Sequence, residues 1–322
     1  MSATRRNDFD VTDTVCVADP RAVKMAVLAI LRDIAPAANL APVNAAFRLF
    51  VQLFTGRLPG YVGCDTPYHD ARHSLDGALA FARLIAAHDA AVTPGERLGV
   101  DRAILGVVIA LFHDAGYVRR KSDAADNGAF YTLTHVSRSA DFLREHLPLI
   151  GLGRHAELAA KLVHFTGFEV PLEQLDVPDE ADRKLGHMLG TADLMSQTAD
   201  RCYLEKCRDF LFPEFVACGL AGRVAPGAKA CDHPDPMSLL ATTEPFNERV
   251  RETRLDGAFG SIHRYFAHCF GGRNRYREAI DANLARAEQA LKAVNPSAIL
   301  NRRPKAFTRE ALRQLLKQRP TA

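Results

Sequence analysis

The chain has 322 residues, of which 48% are hydrophobic, 25% charged and 8% aromatic, and this composition excludes both a disulfide-held miniprotein and a chain that is disordered throughout. Its 41 Lys and Arg residues nearly balance its 38 Asp and Glu residues, so we do not expect nucleic acid as a partner. Twelve histidines are the unusual feature, because histidine is the commonest metal ligand and titrates near neutral pH.

The N-terminal residues and the cysteines indicate the compartment. No apolar core follows the Arg5-Arg6 pair, so the sequence predicts no secretory signal. The longest apolar run, residues 103–112, is too short to span a bilayer and predicts a buried core helix. Seven cysteines without a C-x-x-C pair favour reduced thiols. We therefore expect a cytoplasmic protein without a membrane span, and the oligomeric state stays open.

Apolar residues recur at helical spacing along most of the chain. The predicted helices cover, in chain order, residues 74–88, 102–114 with Asp101 as N-cap, 134–146, 158–165, 182–211 and 275–294. No run of alternating β-branched residues stands out, so no strand is predicted. The predicted architecture is an N-terminal segment at 1–20, a single all-α catalytic domain at 21–300 and a tail at 301–322.

The tail from residue 301 is strongly basic, with seven Lys or Arg residues against one Glu. Phe307, Leu312 and Leu315 stand there at roughly helical spacing, which favours a short amphipathic helix. Either a solvated helix or a contact with a partner, a membrane or nucleic acid is consistent with this pattern.

Five short segments place histidines and aspartates on or beside the predicted helices. They contain His69 and His73, His113 with Asp114, His135, His164, and Asp193. An ionised carboxylate on an apolar helix is costly unless it is paired or bound to a cation, and both Asp114 and Asp193 are in this position. Neutral imidazole and carboxylate together suit zinc, manganese, iron or magnesium, so the sequence predicts a metal site. The remaining seven histidines are predicted to be structural: 88, 146, 155, 187, 233, 263 and 268.

The set His73, His113, Asp114 and Asp193 resembles the HD-domain superfamily of metal-dependent phosphohydrolases. The resemblance covers about residues 60–215 and implies an all-α, phosphodiesterase-like helical bundle around a buried metal site. It also implies that these four side chains bind one divalent metal and that Asp114 bridges to a second.

The Tyr68-His69 pair ahead of His73 is similar to the signature of class I cyclic-nucleotide phosphodiesterases. This resemblance implies that His69 is the general acid for the leaving oxygen and that a metal-held hydroxide attacks phosphorus. Asp70 and Tyr117 depart from that signature, which has Asn and His at the two positions.

His135 and His164 lie between Asp114 and Asp193 in the chain, where binuclear members of the superfamily supply further metal ligands. The alternatives for these two histidines are contacts to a substrate phosphate and ordinary hydrogen bonds to neighbouring groups. Thr166 and Glu169 are candidates for holding the His164 ring.

Gln197 and Phe266 are positional candidates for the two residues that clamp a purine in those enzymes.

The favoured function is hydrolysis of a phosphodiester such as a 3′,5′-cyclic nucleotide, with one or two divalent ions of zinc, manganese, magnesium or iron. The expected partner is accordingly a phosphorylated small molecule, a nucleotide in particular. Two alternatives stay open: a non-haem di-iron oxygenase of the same superfamily, which would use all six ligands, and a metal-retaining regulatory module without turnover.

Overall fold

The computed structural model describes residues 5–222 and 233–304. The structure is about 67% helical with only 2% strand, which confirms the predicted all-α class. The α-helices are α1 (Pro20–Ile34), α2 (Ala41–Phe54), α3 (Ala71–Ala91), α4 (Gly99–Phe112), α5 (His135–His146), α6 (Ala156–Leu162), α7 (Glu180–Ala199), α8 (Tyr203–Lys206), α9 (Phe212–Ala217), α10 (Pro236–Ala241), α11 (Thr243–Val250), α12 (Arg275–Lys292) and α13 (Pro296–Ile299).

Shorter helical turns connect or extend these helices. The 3₁₀ turns are Pro94–Glu96, Ala115–Tyr117, Gly128–Tyr131, Leu147–Ile150, Gly153–His155, Val163–Thr166, Leu172–Gln174 and Ile262–Phe270. Two π-helical stretches, Cys207–Leu211 and Arg251–Ala258, follow α8 and α11 directly.

Helix α3 is the centre of the bundle and packs against α1, α4 and α7. The apolar run predicted as a core helix lies in α4, where every residue from 103 to 112 is buried. Gly106 allows α3 and α4 to approach closely, because a Cβ at this position would lie 2.0 Å from the Phe81 ring. Helices α3 and α7 and the two residues that directly follow α4 contribute the four residues of the central His/Asp cluster.

Two predictions about local structure are wrong in detail. Helix α4 begins at Gly99, so Asp101 lies in its first turn and is not its N-cap. Two short strands are present where none was predicted: β1 (Tyr61–Gly63) pairs antiparallel with β2 (Arg119–Arg120). Strands of this length are too short to show an alternating pattern in the sequence.

The long helix predicted over 182–211 is also wrong, because α7 ends at Ala199. The carboxylate of Asp200 accepts a hydrogen bond from the Cys202 backbone N–H at 2.7 Å and pairs with Lys206. This local side-chain bonding competes with continuation of the helix, and the chain turns before α8 begins at Tyr203.

The segment ahead of α1 packs onto the bundle. Asp10 is buried, and its carboxylate accepts a hydrogen bond from the Arg83 guanidinium at 2.6 Å. Arg72, which is also buried, donates to Asp8 at 2.8 Å. Both arginines lie on α3, so the segment is tied to the helix that begins the central cluster.

Three further predictions concern the whole chain. No disulfide bond joins the six cysteines that the structure describes. None of the helices in the described ranges combines the length and apolar composition that a bilayer crossing requires. The predicted tail helix lies, from residue 305 on, outside the described residues.

Candidate metal centre

Four side chains from the ends and middle of three packed helices meet in one buried cluster. His73 lies in the first turn of α3, and its backbone N–H donates to the N-capping carboxylate of Asp70 at 3.1 Å. His113 ends α4 and Asp114 follows it, while Asp193 lies within α7. All four of the strongest sequence-predicted ligands are therefore together, and all four are buried.

The two imidazoles of the cluster contact each other, and each of them contacts both carboxylates. The Nε2 atoms of His73 and His113 lie 3.1 Å apart. Asp114 Oδ2 lies 3.2 Å from His73 Nε2 and 3.3 Å from His113 Nε2. Asp193 Oδ1 lies 3.2 Å and 3.4 Å from the same two nitrogens. Ligand atoms that share a cation at about 2.1 Å are separated by about 3 Å, so the spacings among His73, His113 and Asp114 fit a common cation.

Two further observations support a cation between these atoms. Asp114 Oδ2 is buried and accepts no well-aligned hydrogen bond from any described residue, which is costly for a carboxylate oxygen unless a metal cation or the protonated imidazoles beside it neutralise its charge. The His113 Nδ1–H donates to the Ala110 carbonyl at 2.8 Å. In the neutral ring this bond leaves Nε2 unprotonated and directed at the cluster, as a metal ligand requires. His73, His113 and Asp114 thus form a buried group that can bind a metal ion.

The electrostatics of the cluster attract positive charge. Burial alone lowers the pKa of His73, but the carboxylates of Asp114 and Asp193 outweigh it and raise the pKa to about 9. Burial also opposes the charge on Asp114, yet the two histidines hold its pKa well below the usual value. Without a metal, protons on the imidazoles supply the charge that these carboxylates need. A divalent cation replaces those protons.

The second oxygen of Asp114 faces another histidine. His135 Nε2 lies 3.6 Å from Asp114 Oδ1, and its Nδ1–H donates to the Thr132 carbonyl at 2.7 Å. Burial lowers the pKa of His135, so the neutral ring presents an unprotonated nitrogen to a carboxylate oxygen. His135 is therefore placed beside the cluster, as one of the sequence hypotheses expects.

His69 lies at the edge of the cluster, with its ring centroid 6.0 Å from that of His73. Its Nδ1–H donates to the Glu214 carboxylate at 2.6 Å. The other oxygen of Glu214 accepts a hydrogen bond from the Tyr68 backbone N–H at 2.6 Å, and Glu214 is itself buried. Sequence reasoning missed Glu214, because α9 lies 145 positions after His69 and carries no motif.

Tyr117 stacks between the two outer histidines. Its ring lies 4.2 Å from the His69 ring with an interplanar angle of 10°, and 4.5 Å from the His135 ring with an angle of 25°. The side chain is buried. Tyr117, where the phosphodiesterase signature has a histidine, thus contributes a packed aromatic spacer between the two imidazoles.

The structure does not bring His164 to the cluster. The described lining of the cleft includes His135 but not His164. The charged neighbours that act on the His164 ring are Glu169, Arg144 and Asp141.

The expected role of Glu169 at His164 is not seen either. Its carboxylate accepts hydrogen bonds from the backbone N–H groups of Val136 and Ser137, at 2.6 and 3.0 Å. The Thr166 hydroxyl, the other candidate partner, donates to the Val163 carbonyl at 2.8 Å. Glu169 therefore caps α5 and supports its first residue, His135.

The cluster lies at the floor of a cleft of about 680 Å³. Its lining includes Gln197 and also His233, which the sequence grouped with the structural histidines. Gln197 accepts a hydrogen bond from the Tyr68 hydroxyl at 3.2 Å. The described lining does not include Phe266, which is fully buried and packs on Tyr276 at 4.3 Å between ring centroids. The positional expectation for Phe266 is therefore wrong.

No protein-family model matches the chain, and no curated protein matches it.

The arrangement combines three capabilities in one cleft. The buried group of His73, His113 and Asp114 can hold a cation, Asp193 lies beside both histidines, and the other oxygen of Asp114 faces His135. The Glu214 carboxylate fixes the orientation and tautomer of His69. A cavity of this volume is large enough for a small-molecule ligand.

Proposed function

We propose that the protein is a metal-dependent phosphohydrolase of the HD-domain type that cleaves a phosphodiester. The observation that carries this proposal is the position of His69, oriented by Glu214, beside the buried His/Asp cluster in one cleft. In a site of this kind, one bound substrate can contact both a proton donor and a cation-binding group.

His73, His113, Asp114 and Asp193 are the residues that would hold the divalent cation, and His135 extends the set for a second ion. Such ions neutralise phosphoryl charge, lower the pKa of a water molecule and fix an in-line geometry. Zinc, manganese and iron fit two imidazoles with two carboxylates, and magnesium fits with additional oxygen ligands.

His69 would act as the general acid. Its Nδ1 is engaged by Glu214, so Nε2 is the nitrogen that remains to donate a proton. When water attacks phosphorus and the bond to the leaving oxygen breaks, the proton from Nε2 passes to that oxygen. Burial of Glu214 keeps the pair out of bulk water and maintains the ring orientation.

A 3′,5′-cyclic nucleotide is the phosphodiester that the Tyr68-His69 motif favours. The di-iron oxygenase alternative is less well supported, because it requires six ligands and His164 is not among the described residues that line the cleft. A metal-retaining regulatory module fits the same cluster, and only turnover distinguishes it from an enzyme.

The test is a hydrolysis panel on the full-length protein. Bis(p-nitrophenyl) phosphate, cyclic mono- and dinucleotides, nucleotides and alarmones are each incubated with Mn²⁺, Mg²⁺, Zn²⁺ or Fe²⁺. We expect cleavage of at least one diester, and His69→Asn should lower kcat by about 10²- to 10⁴-fold without changing metal content. His268→Asn, at an exposed histidine, serves as the control. Absence of hydrolysis with every metal, or a His69→Asn variant as fast as wild type, would contradict the proposal.

A further inference from the structure

Two exposed apolar side chains line the cleft, and three more lie in segments next to its lining residues. Among the described residues, nine large apolar side chains are exposed. Five of them lie in segments that border the cleft: Phe130, Leu133, Phe168, Val216 and Leu220. We call these five the apolar rim. The other four are scattered on α1, the Leu147–Ile150 turn and the end of α12: Met25, Leu149, Leu291 and Val294.

The segments of the apolar rim are contiguous. Leu133 and Phe168 line the cleft together with Phe215, which lies on α9. Helix α9 contacts the Gly128–Tyr131 turn, which carries Phe130. The Leu220 backbone N–H donates to the Phe215 carbonyl at 2.7 Å, a capping bond that holds Leu220 at the C-terminal end of α9.

Phe168 is held in its exposed position by its surroundings. Its side chain is 60% exposed, yet the Arg254 guanidinium lies 3.7 Å from the ring centroid. Arg254 also donates to the Gly167 carbonyl at 2.7 Å, and Glu169 fixes the other side of the loop through α5. An aromatic side chain that is both exposed and fixed in place is preorganised for a ligand.

The apolar surface continues from the rim into the cavity. The lining between the mouth and the cluster includes Leu194, Leu211, Phe215, Leu239, Pro245 and Phe246. Arg249 is the one Lys or Arg in the described lining. A cavity of about 680 Å³ exceeds what a phosphate group fills. The volume that remains is therefore suited to an apolar group attached to the phosphate.

We propose that the substrate is an amphiphilic phosphate ester. Its phosphate binds at the His/Asp cluster, and a long aliphatic ester group follows the apolar wall and leaves the cleft across the apolar rim. This inference rests on the proposed phosphohydrolase function, and the apolar lining favours a phosphodiester with an aliphatic ester group over the cyclic nucleotide that the Tyr68-His69 motif alone suggests. The apolar rim is proposed to bind the substrate and not a partner protein. Leu133 and Phe168 line the same cavity as the His/Asp cluster, so a ligand bound at the cluster reaches them.

The test is a binding series with non-hydrolysable ligands on the full-length, Mn²⁺-loaded protein. Ethyl-, butyl-, hexyl- and octylphosphonate are titrated calorimetrically below their micelle concentrations. Each added methylene should tighten Kd by up to about fourfold while it still enters the apolar wall. A Kd that does not change with chain length, or no phosphonate binding at all, would overturn the proposal.

Substitutions in the apolar rim test whether the dependence of Kd on chain length arises there. Phe168→Ser and Leu133→Ser should weaken octylphosphonate binding by about tenfold, because buried apolar contact is lost, and should leave ethylphosphonate unchanged. The matched control is Leu149→Ser, since Leu149 is 74% exposed and lies away from the cleft lining. If Leu149→Ser weakened octylphosphonate binding equally, the rim would not be the surface that binds the alkyl chain.

Two other outcomes can be distinguished from failure of the phosphonate series. A concentration-dependent dimer that Phe168→Ser dissociates, measured by sedimentation velocity, would make the rim an interface between copies and would overturn the ligand proposal. Loss of hydrolysis of bis(p-nitrophenyl) phosphate concerns only the phosphohydrolase function, because the phosphonate series measures binding without turnover.

Discussion

The orientation of His69 depends on one distant carboxylate. Glu214 binds the His69 imidazole at 2.6 Å and the Tyr68 backbone N–H at 2.6 Å, so it fixes both the ring and the chain that carries it. In the proposed mechanism this buried carboxylate positions the general acid His69 and does not itself touch the substrate. Its loss should therefore affect the chemical step more than substrate binding.

We predict that Glu214→Gln lowers kcat by about 10- to 100-fold with little change in KM. The amide can still accept the Tyr68 N–H bond, but it removes the charge beside His69. Metal content, measured by elemental analysis, should stay at the wild-type level. Glu173→Gln, at an exposed glutamate, is the control. Wild-type kcat in Glu214→Gln, or a loss of metal, would show that Glu214 does not act through His69.

At the scale of single residues, local motifs carried most of the correct predictions. Asp114 and Asp193 were predictable because a carboxylate on an apolar helix needs a partner. Glu214 and Tyr117 were not, since their roles arise only when α9 and the Ala115–Tyr117 turn pack against His69. His164 carries the same residue type as the ligands, but the fold directs it elsewhere.

Helix α7 supports the cluster from one side and also carries a half-buried histidine, His187. His187 packs against Phe165 and Phe259, with ring centroids 5.4 and 5.2 Å away. Burial, reinforced by Arg183 and Lys184, lowers its pKa from 6.5 to about 4. The unfolded chain therefore binds this proton more readily than the folded chain, and stability is lost as the pH falls from 6.5 toward 4.

We predict that His187→Phe removes this part of the acid sensitivity. The Tm of the variant relative to wild type should be higher near pH 4 than above pH 6.5, by at least about 2 °C. Differential scanning calorimetry at the two pH values measures it, with exposed His268→Phe as the control. A difference that does not depend on pH would contradict the assigned protonation of His187.

The helices themselves were predictable where an apolar face is long and regular. Buried α4 and amphipathic α12 followed from their spacing alone. The end of α7 did not, because Asp200 terminates it through bonds to Cys202 and Lys206 that a hydrophobic pattern does not encode. Sequence spacing thus predicts where a helix forms better than where it ends.

For the molecule as a whole, the bundle brings the ends of α3 and α4 to the middle of α7 and so creates the site. The all-α class followed from composition and periodicity. The cleft above the cluster did not, because its walls come from α9, α10, α11 and the turns around residues 133 and 168, which are far apart in the chain. Packing of distant, weakly patterned segments is what the sequence did not reveal.

Metal stoichiometry tests the central claim most directly, namely that His73, His113, Asp114 and Asp193 hold a divalent cation. The full-length protein is loaded with Mn²⁺ or Zn²⁺, dialysed and analysed by elemental analysis, beside Asp193→Asn and the matched variant His164→Asn. We predict at least one ion per chain in wild type and in His164→Asn, and a clear loss in Asp193→Asn. A wild-type protein that retains no metal, or an Asp193→Asn variant that retains as much as wild type, would contradict it.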